Sequence, residues 1–79
     1  MELKVQYFGM IAEATHKQEE IISVQDQCDL HELTILLKEK YETLQKISFT
    51  IAIDQEITTS NRVLAPLHEI ALLPPFSGG

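Results

Sequence analysis

One stretch of this 79-residue sequence constrains the fold more than any other: residues 29–44, where apolar side chains recur at helical spacing. Leu30, Leu33, Leu37, Tyr41 and Leu44 follow one another at steps of three and four, with Leu36 beside them. Such a stripe predicts an amphipathic helix of about four turns with one face in a core. Asp29 stands where an N-cap belongs, and Glu32 completes a capping-box-like pair that would satisfy two orphan amides. Lys38 and Lys40 fall late, where positive charge complements the helix dipole. A lone helix cannot bury its own stripe, so the rest of the chain has to supply a sheet for it to cover.

The flanking segments alternate as that sheet requires. Residues 2–8 place Leu3, Val5 and Tyr7 on one face, and Phe8 breaks the alternation, where it is expected to cover the end of the sheet. Gly9 punctuates, Met10–Ala14 suits a short helical segment, and Thr15–Gln18 reads as a turn. Glu19–Val24 is extended, with Ile22 and Val24 inward and Ile21 outward; its short link to the first strand predicts antiparallel pairing. After the helix, Ser48–Asp54 alternates through Phe49, Ile51 and Ile53, and Asp54-Gln55-Glu56 turns back into a brief strand over Ile57–Thr59. Residues 60–68 are irregular and broken by Pro66, and Glu69–Leu73 is a last strand with Ile70 and Leu72 inward.

Strand two, the helix and strand three make a crossover unit. The expected architecture is α+β: one β-grasp (ubiquitin-like) roll over residues 1–79, a mixed sheet covered by one main helix, with residues 74–79 a protruding tail. A chain of this length supplies one compact core and little room for an internal substrate pocket, which argues against a self-sufficient enzyme. Twelve acidic residues against six basic give a net charge of −6, which disfavours nucleic acid and suits a basic protein partner. No apolar run approaches the roughly 20 residues of a membrane span. The single cysteine, Cys28, excludes an internal disulfide and points to the cytoplasm.

Groups that could carry catalysis are scattered. His16, His31 and His68 fall on three different elements and read as surface histidines, with no metal site among them. Glu19-Glu20 reads as a solvated carboxylate pair on a strand edge, and Cys28 as a small residue ahead of the helix cap. The chemically distinct feature is the end of the sequence, Pro74-Pro75-Phe76-Ser77-Gly78-Gly79, which holds two of the three prolines and two of the three glycines. Adjacent prolines fix φ and lack amide donors, so a strand entering them stops pairing and continues as a stiff extended stalk. Gly78 and Gly79 carry no Cβ, so the backbone there fits a narrow partner site. A carboxylate at Gly79 is a poor electrophile until it becomes an acyl-adenylate; a sulfur nucleophile then yields a thiocarboxylate. On this reading the body supplies recognition and partner enzymes supply catalysis. The competing reading is a ubiquitin-like binding module that works through its sheet and never uses its terminus.

The whole sequence resembles the sulfur-carrier small subunits of molybdopterin synthase, a ubiquitin-like family that also includes the thiamine sulfur carrier. The resemblance rests on Val5-Gln6-Tyr7-Phe8-Gly9-Met10-Ile11-Ala12-Glu13, on Phe49–Glu56, and most specifically on Glu69–Gly79, a strand running into Pro-Pro, a hydrophobic residue and Ser-Gly-Gly. It implies that Gly79 is adenylated from ATP by a ubiquitin-activating-like adenylyltransferase, then thiocarboxylated with sulfur from a donor system. It also implies that the tail, Leu73 through Gly78, inserts into the large synthase subunit, with Leu73 and Phe76 as apolar anchors. The sulfur would pass to cyclic pyranopterin monophosphate, in a heterotetramer, with no permanently bound cofactor. Carriers for another acceptor, such as the thiamine thiazole, and protein-conjugating modifiers share the chemistry; the Pro-Pro pair favours the molybdopterin carrier over both. Two loops depart from the family pattern: Pro66-Leu67-His68-Glu69 replaces an Asp-Gly-Asp-Glu-like turn, and Asp54 replaces an asparagine.

Overall fold

The computed structural model describes residues 1–58, 60–66 and 68–75. Five strands form one mixed sheet: β1 (Glu2–Tyr7), β2 (Glu19–Ser23), β3 (Thr50–Ile53), β4 (Glu56–Thr58) and β5 (Glu69–Leu73), in the order β2-β1-β5-β3-β4. The β1–β2 pair is antiparallel, β1 and β5 run parallel at the centre, and β3 pairs antiparallel with both β5 and β4. This is the β-grasp arrangement expected from the sequence. The crossover from β2 to β3 passes over both central strands, because β1 and β5 lie between them.

Helix α1 (Met10–Thr15) links β1 to β2, and helix α2 (Leu30–Lys40) covers the sheet. Leu30, Leu33 and Leu37 from α2 meet Leu3, Val5, Tyr7, Ile22, Ile51, Ile53, Ile70 and Leu72 from the strands in one buried cluster. Each fully buried aliphatic chain contributes about 1.5–3 kcal/mol of transfer free energy, so this interface is the main stabilising layer. Among the described residues no helix is long and apolar enough to cross a membrane.

Helix α2 is shorter than its stripe. It ends at Lys40, Tyr41 turns extended (φ −127°, ψ 99°), and a 3₁₀ turn over Glu42–Lys46 brings Leu44 fully into the core. The reason lies across the fold, at Glu20. That side chain is only 8% exposed and is not the solvated carboxylate that its sequence neighbourhood suggests. Its Oε2 accepts hydrogen bonds from the hydroxyls of Tyr7 (2.6 Å) and Tyr41, and its Oε1 from Lys40 Nζ (3.0 Å) and Lys17 Nζ (3.3 Å). Burial alone pushes this carboxyl up, but the hydrogen bonds from Tyr41, Tyr7, Lys40 and Lys17 outweigh it and hold the pKa down to about 2. Leaving the helix at Tyr41 lets that hydroxyl join the cluster. The same surroundings push the Tyr7 phenol well above its ordinary range, through burial first and the Glu20 carboxylate second.

Asp29 caps α2 by accepting the Glu32 amide at Oδ1 (2.8 Å). The reciprocal half of the expected capping box is replaced by a long-range one: Asn61 Oδ1 accepts the His31 amide (2.9 Å), and Arg62 O accepts that of Leu30 (2.9 Å). The segment around residues 61–64 is therefore less irregular than its composition suggests. An Asp29–Val63 bridge and a Leu64 N–H bond to Cys28 O pin it to the start of α2 and bury Leu64. Phe49 and Val24, expected within strands, lie just outside them and pack only partly against the core. Cys28 is buried, and burial followed by Glu32 and Asp29 pushes its thiol up, away from a reactive thiolate.

Candidate functional site

The candidate site is the exit of β5. Ile70 and Leu72 point into the core at zero exposure, so the strand is anchored by its own alternation. Both of its edges are paired: Tyr7 lies opposite Leu72 on one side, and Thr50 opposite Leu73 on the other. The Phe8 amide adds a bond to Leu72 O (3.2 Å). Pro74 and Pro75 bring no amide donors, and the ladder ends there. A strand held along both edges and then stopped by two prolines is a rigid base for whatever chain follows. Leu73 and Pro74 are half-buried and Pro75 is exposed; Phe76, Ser77, Gly78 and Gly79 lie outside the described residues.

The opposite parity of β5 builds a surface beside this exit. Ala71 and Leu73 face away from α2 and, with Phe8, Ala52 and Ile57, line a shallow depression of ≈ 360 Å³ edged by Gln6, Gln55 and Glu69. Phe8 is 44% and Ile57 50% exposed. Phe8 thus does not close the end of the sheet as its sequence position suggests; it stands on the open face. Exposed apolar side chains gathered on one face, here Phe8 and Ile57, are the kind of feature that protein-binding surfaces share. A polar clasp borders it. Asp54, in the β3–β4 turn at φ 52°, accepts the Glu69 amide at Oδ1 (2.9 Å), and its Oδ2 pairs with His68 Nδ1 (2.8 Å). These contacts, the Glu69 amide first and His68 second, hold the Asp54 carboxyl below its usual range. The two loops that depart from the family pattern are therefore in contact, and His68 is partnered where the sequence suggests free solvation.

The other candidates stay apart. His16 follows α1, His31 is in the first turn of α2, and His68 precedes β5. Among the described residues no group of three His, Cys, Asp or Glu side chains is placed to hold a metal ion. What the sequence reading lacked was the open face: Phe8, Ile57 and Ala71 become neighbours only through strand pairing, although the odd-numbered parity of 69, 71 and 73 already separates outer from inner residues.

Comparison with known proteins agrees with this geometry. The ThiS family model matches residues 5–79. A curated relative from Caenorhabditis elegans, described as a molybdopterin synthase sulfur carrier subunit, is 36% identical over 81 residues, covering 98% of this chain and 96% of its own. A solved structure of a putative molybdopterin converting factor subunit 1 from Pyrococcus furiosus superposes with a TM-score of 0.88 at 18% identity, covering 95% of this chain and 98% of its own. A chain from the complex of subunits 1 and 2 of the molybdopterin-converting factor of Helicobacter pylori superposes at 0.70 with 28% identity, covering 100% of both chains.

Proposed function

Since the chain belongs to the ThiS family, we propose that it is the sulfur-carrier small subunit of a molybdopterin synthase, and that Gly79 is the residue that carries the sulfur. The observation that supports this most directly is the β5 exit, where a fully paired central strand runs into Pro74-Pro75 and a Phe-Ser-Gly-Gly end.

The chemistry balances without a catalytic group on this chain. The Gly79 carboxylate attacks the α-phosphate of ATP on a ubiquitin-activating-like adenylyltransferase, and pyrophosphate leaves. Sulfide (HS−) released by the donor system attacks the acyl-adenylate carbonyl, the bond to the AMP oxygen breaks, AMP leaves with the electron pair, and loss of the thiol proton gives the thiocarboxylate. The large synthase subunit then directs that sulfur to cyclic pyranopterin monophosphate, where a carbon–sulfur bond forms as a carbon–oxygen bond of the acceptor breaks, and water cleaves the acyl–sulfur bond to return the Gly79 carboxylate. This chain contributes recognition and delivery. The depression lined by Phe8, Ile57 and Leu73 is the docking surface for the large subunit, and the tail from Pro74 reaches into the partner's active site. The surrounding acidic charge speeds encounter with a basic groove.

Intact-mass measurement after incubation with the activating enzyme, ATP and a sulfur donor tests the proposal. Exchange of one oxygen for sulfur, located at Gly79 by fragmentation, is the expected result. A protein with one residue appended after Gly79 should show no exchange and keep its fold. An unchanged mass of the native chain refutes the carrier role.

A further inference from the structure

Gly9 and Pro74 are far apart in sequence and touch in the fold. Gly9 adopts φ 58°, ψ −133°, and the Ile11 amide donates to Phe8 O (3.1 Å), closing a turn over residues 8–11. Those angles belong to the first central position of a type II′ turn, which glycine alone adopts without strain. The turn also brings the bare face of Gly9 against the root of the tail. A Cβ built there would lie 2.8 Å from Pro74 Cγ and 3.6 Å from Pro74 Cδ.

We infer that Gly9 is a positioning residue for sulfur delivery: its unsubstituted backbone is the seat on which Pro74 lies, and this contact sets the direction in which the tail leaves the body. The inference rests on the carrier reading above for its functional consequence. Its structural basis is that β5 loses its hydrogen-bonded guidance at Leu73, the last residue paired with β3. Pro74 has no amide with which to extend the ladder. The contact with Gly9 comes immediately after that last pair, so it is what aims the stalk. A side chain at position 9 makes Pro74 retreat by about 0.6 Å to reach ordinary contact near 3.4 Å, and misplacement of reacting groups by about 1 Å can cost on the order of 100-fold in rate. A change of direction at Pro74 is magnified with distance over the five residues that follow it, whose fully extended span is at most about 18 Å.

The test is a double-mutant cycle on the full chain: wild type, Gly9→Ala, Pro74→Ala and the double variant. Each is thiocarboxylated and followed in single-turnover sulfur transfer at saturating large subunit, with Kd for that subunit and thermal melting measured in parallel. Gly9→Ala should slow transfer about tenfold while Kd stays within about threefold, since docking uses the sheet face. In the Pro74→Ala background, where Cγ is gone, the same substitution should slow transfer little further, while the backbone strain of alanine at φ 58° lowers the melting temperature in both backgrounds. Wild type should also show a nuclear Overhauser contact between Gly9 Hα and the Pro74 ring.

Equal losses in both backgrounds, or a Gly9→Ala protein that transfers at the wild-type rate, overturn the inference. If Gly9→Ala fails to fold but the double variant folds, the clash with Pro74 is confirmed. If neither folds, turn geometry alone is the role of Gly9 and the inference falls. A wild-type chain that accepts no sulfur refutes the carrier reading instead, and the Gly9–Pro74 Overhauser contact then decides the seat separately.

Discussion

Glu20→Gln isolates the charge at the centre of the buried cluster while keeping side-chain size. The folded carboxyl is held at about 2 against its ordinary 4.5, and at about 1.4 kcal/mol per pKa unit this amounts to about 3 kcal/mol at neutral pH. The Glu20 side chain is 8% exposed, but Lys17 and Lys40 are 47% and 43% exposed, so water screens their share. The hydroxyls of Tyr7 and Tyr41 carry most of what remains, and about 2–3 kcal/mol is the reasonable expectation. Glutamine cannot replace it: its oxygen can accept from the hydroxyls, but its amide group brings donors to a site already filled with donors. For a domain of this size each kcal/mol lowers Tm by about 4–8 °C, so the variant should melt about 10–20 °C below wild type at pH 7.

The sign of the pH dependence follows from the direction of the shift. A carboxyl whose folded pKa lies below its unfolded value stabilises fully above the unfolded pKa, near 4.5, and loses that contribution as pH falls through about 2. Calorimetry or circular dichroism between pH 7 and pH 2 should therefore show the gap between wild type and variant widest above about pH 5 and closing towards pH 2. A variant melting within about 3 °C of wild type at pH 7, or a gap unchanged down to pH 2, refutes the assignment of Glu20 as the charged centre of the cluster.

Asp54→Asn should remove a second acid-sensitive contribution. The Asp54 carboxyl is held low mainly by the Glu69 amide, so wild type gains stability above the ordinary aspartate range and loses it as pH falls through the depressed folded value; denaturant titrations at neutral and acid pH should show this loss in wild type and not in the variant. Phe8→Asp and Ile57→Asp place charge on the open face without touching the buried cluster. Each should weaken binding to the large subunit at least about tenfold by calorimetric titration while leaving Tm within a few degrees. Cys28 is buried with its thiol pushed up, so in the native protein it should react with iodoacetamide far more slowly than in denaturant; equal rates would contradict its placement.

Local chemistry made most of the architecture legible. Alternation assigned Leu3, Val5, Tyr7, Ile70 and Leu72 to the core, the three-and-four spacing assigned Leu30, Leu33 and Leu37, and the acid–amide geometry assigned Asp29 as a cap; all are buried or bonded accordingly. Each of these signals lies within a few residues of itself, which is why the chain alone displays it. The prolines at 74 and 75 likewise announce the end of pairing without any knowledge of what they leave.

What tertiary structure alone decided involves residues distant in sequence. Glu20 looks like a surface acid until Tyr7 and Tyr41 arrive from two other elements, and the helix stops at Lys40 although the leucine spacing runs on to Leu44. Asn61 and Arg62 finish the start of α2 from the far side of the chain, and Phe8 and Ile57 become one surface only when β5 and β3 pair between their strands. Gly9 reads in sequence as punctuation after the first strand, and only the parallel β1–β5 pairing sets it against Pro74. Periodicity reports which face a residue presents, whereas the partner on that face is chosen by strand order, a long-range property that no local window contains.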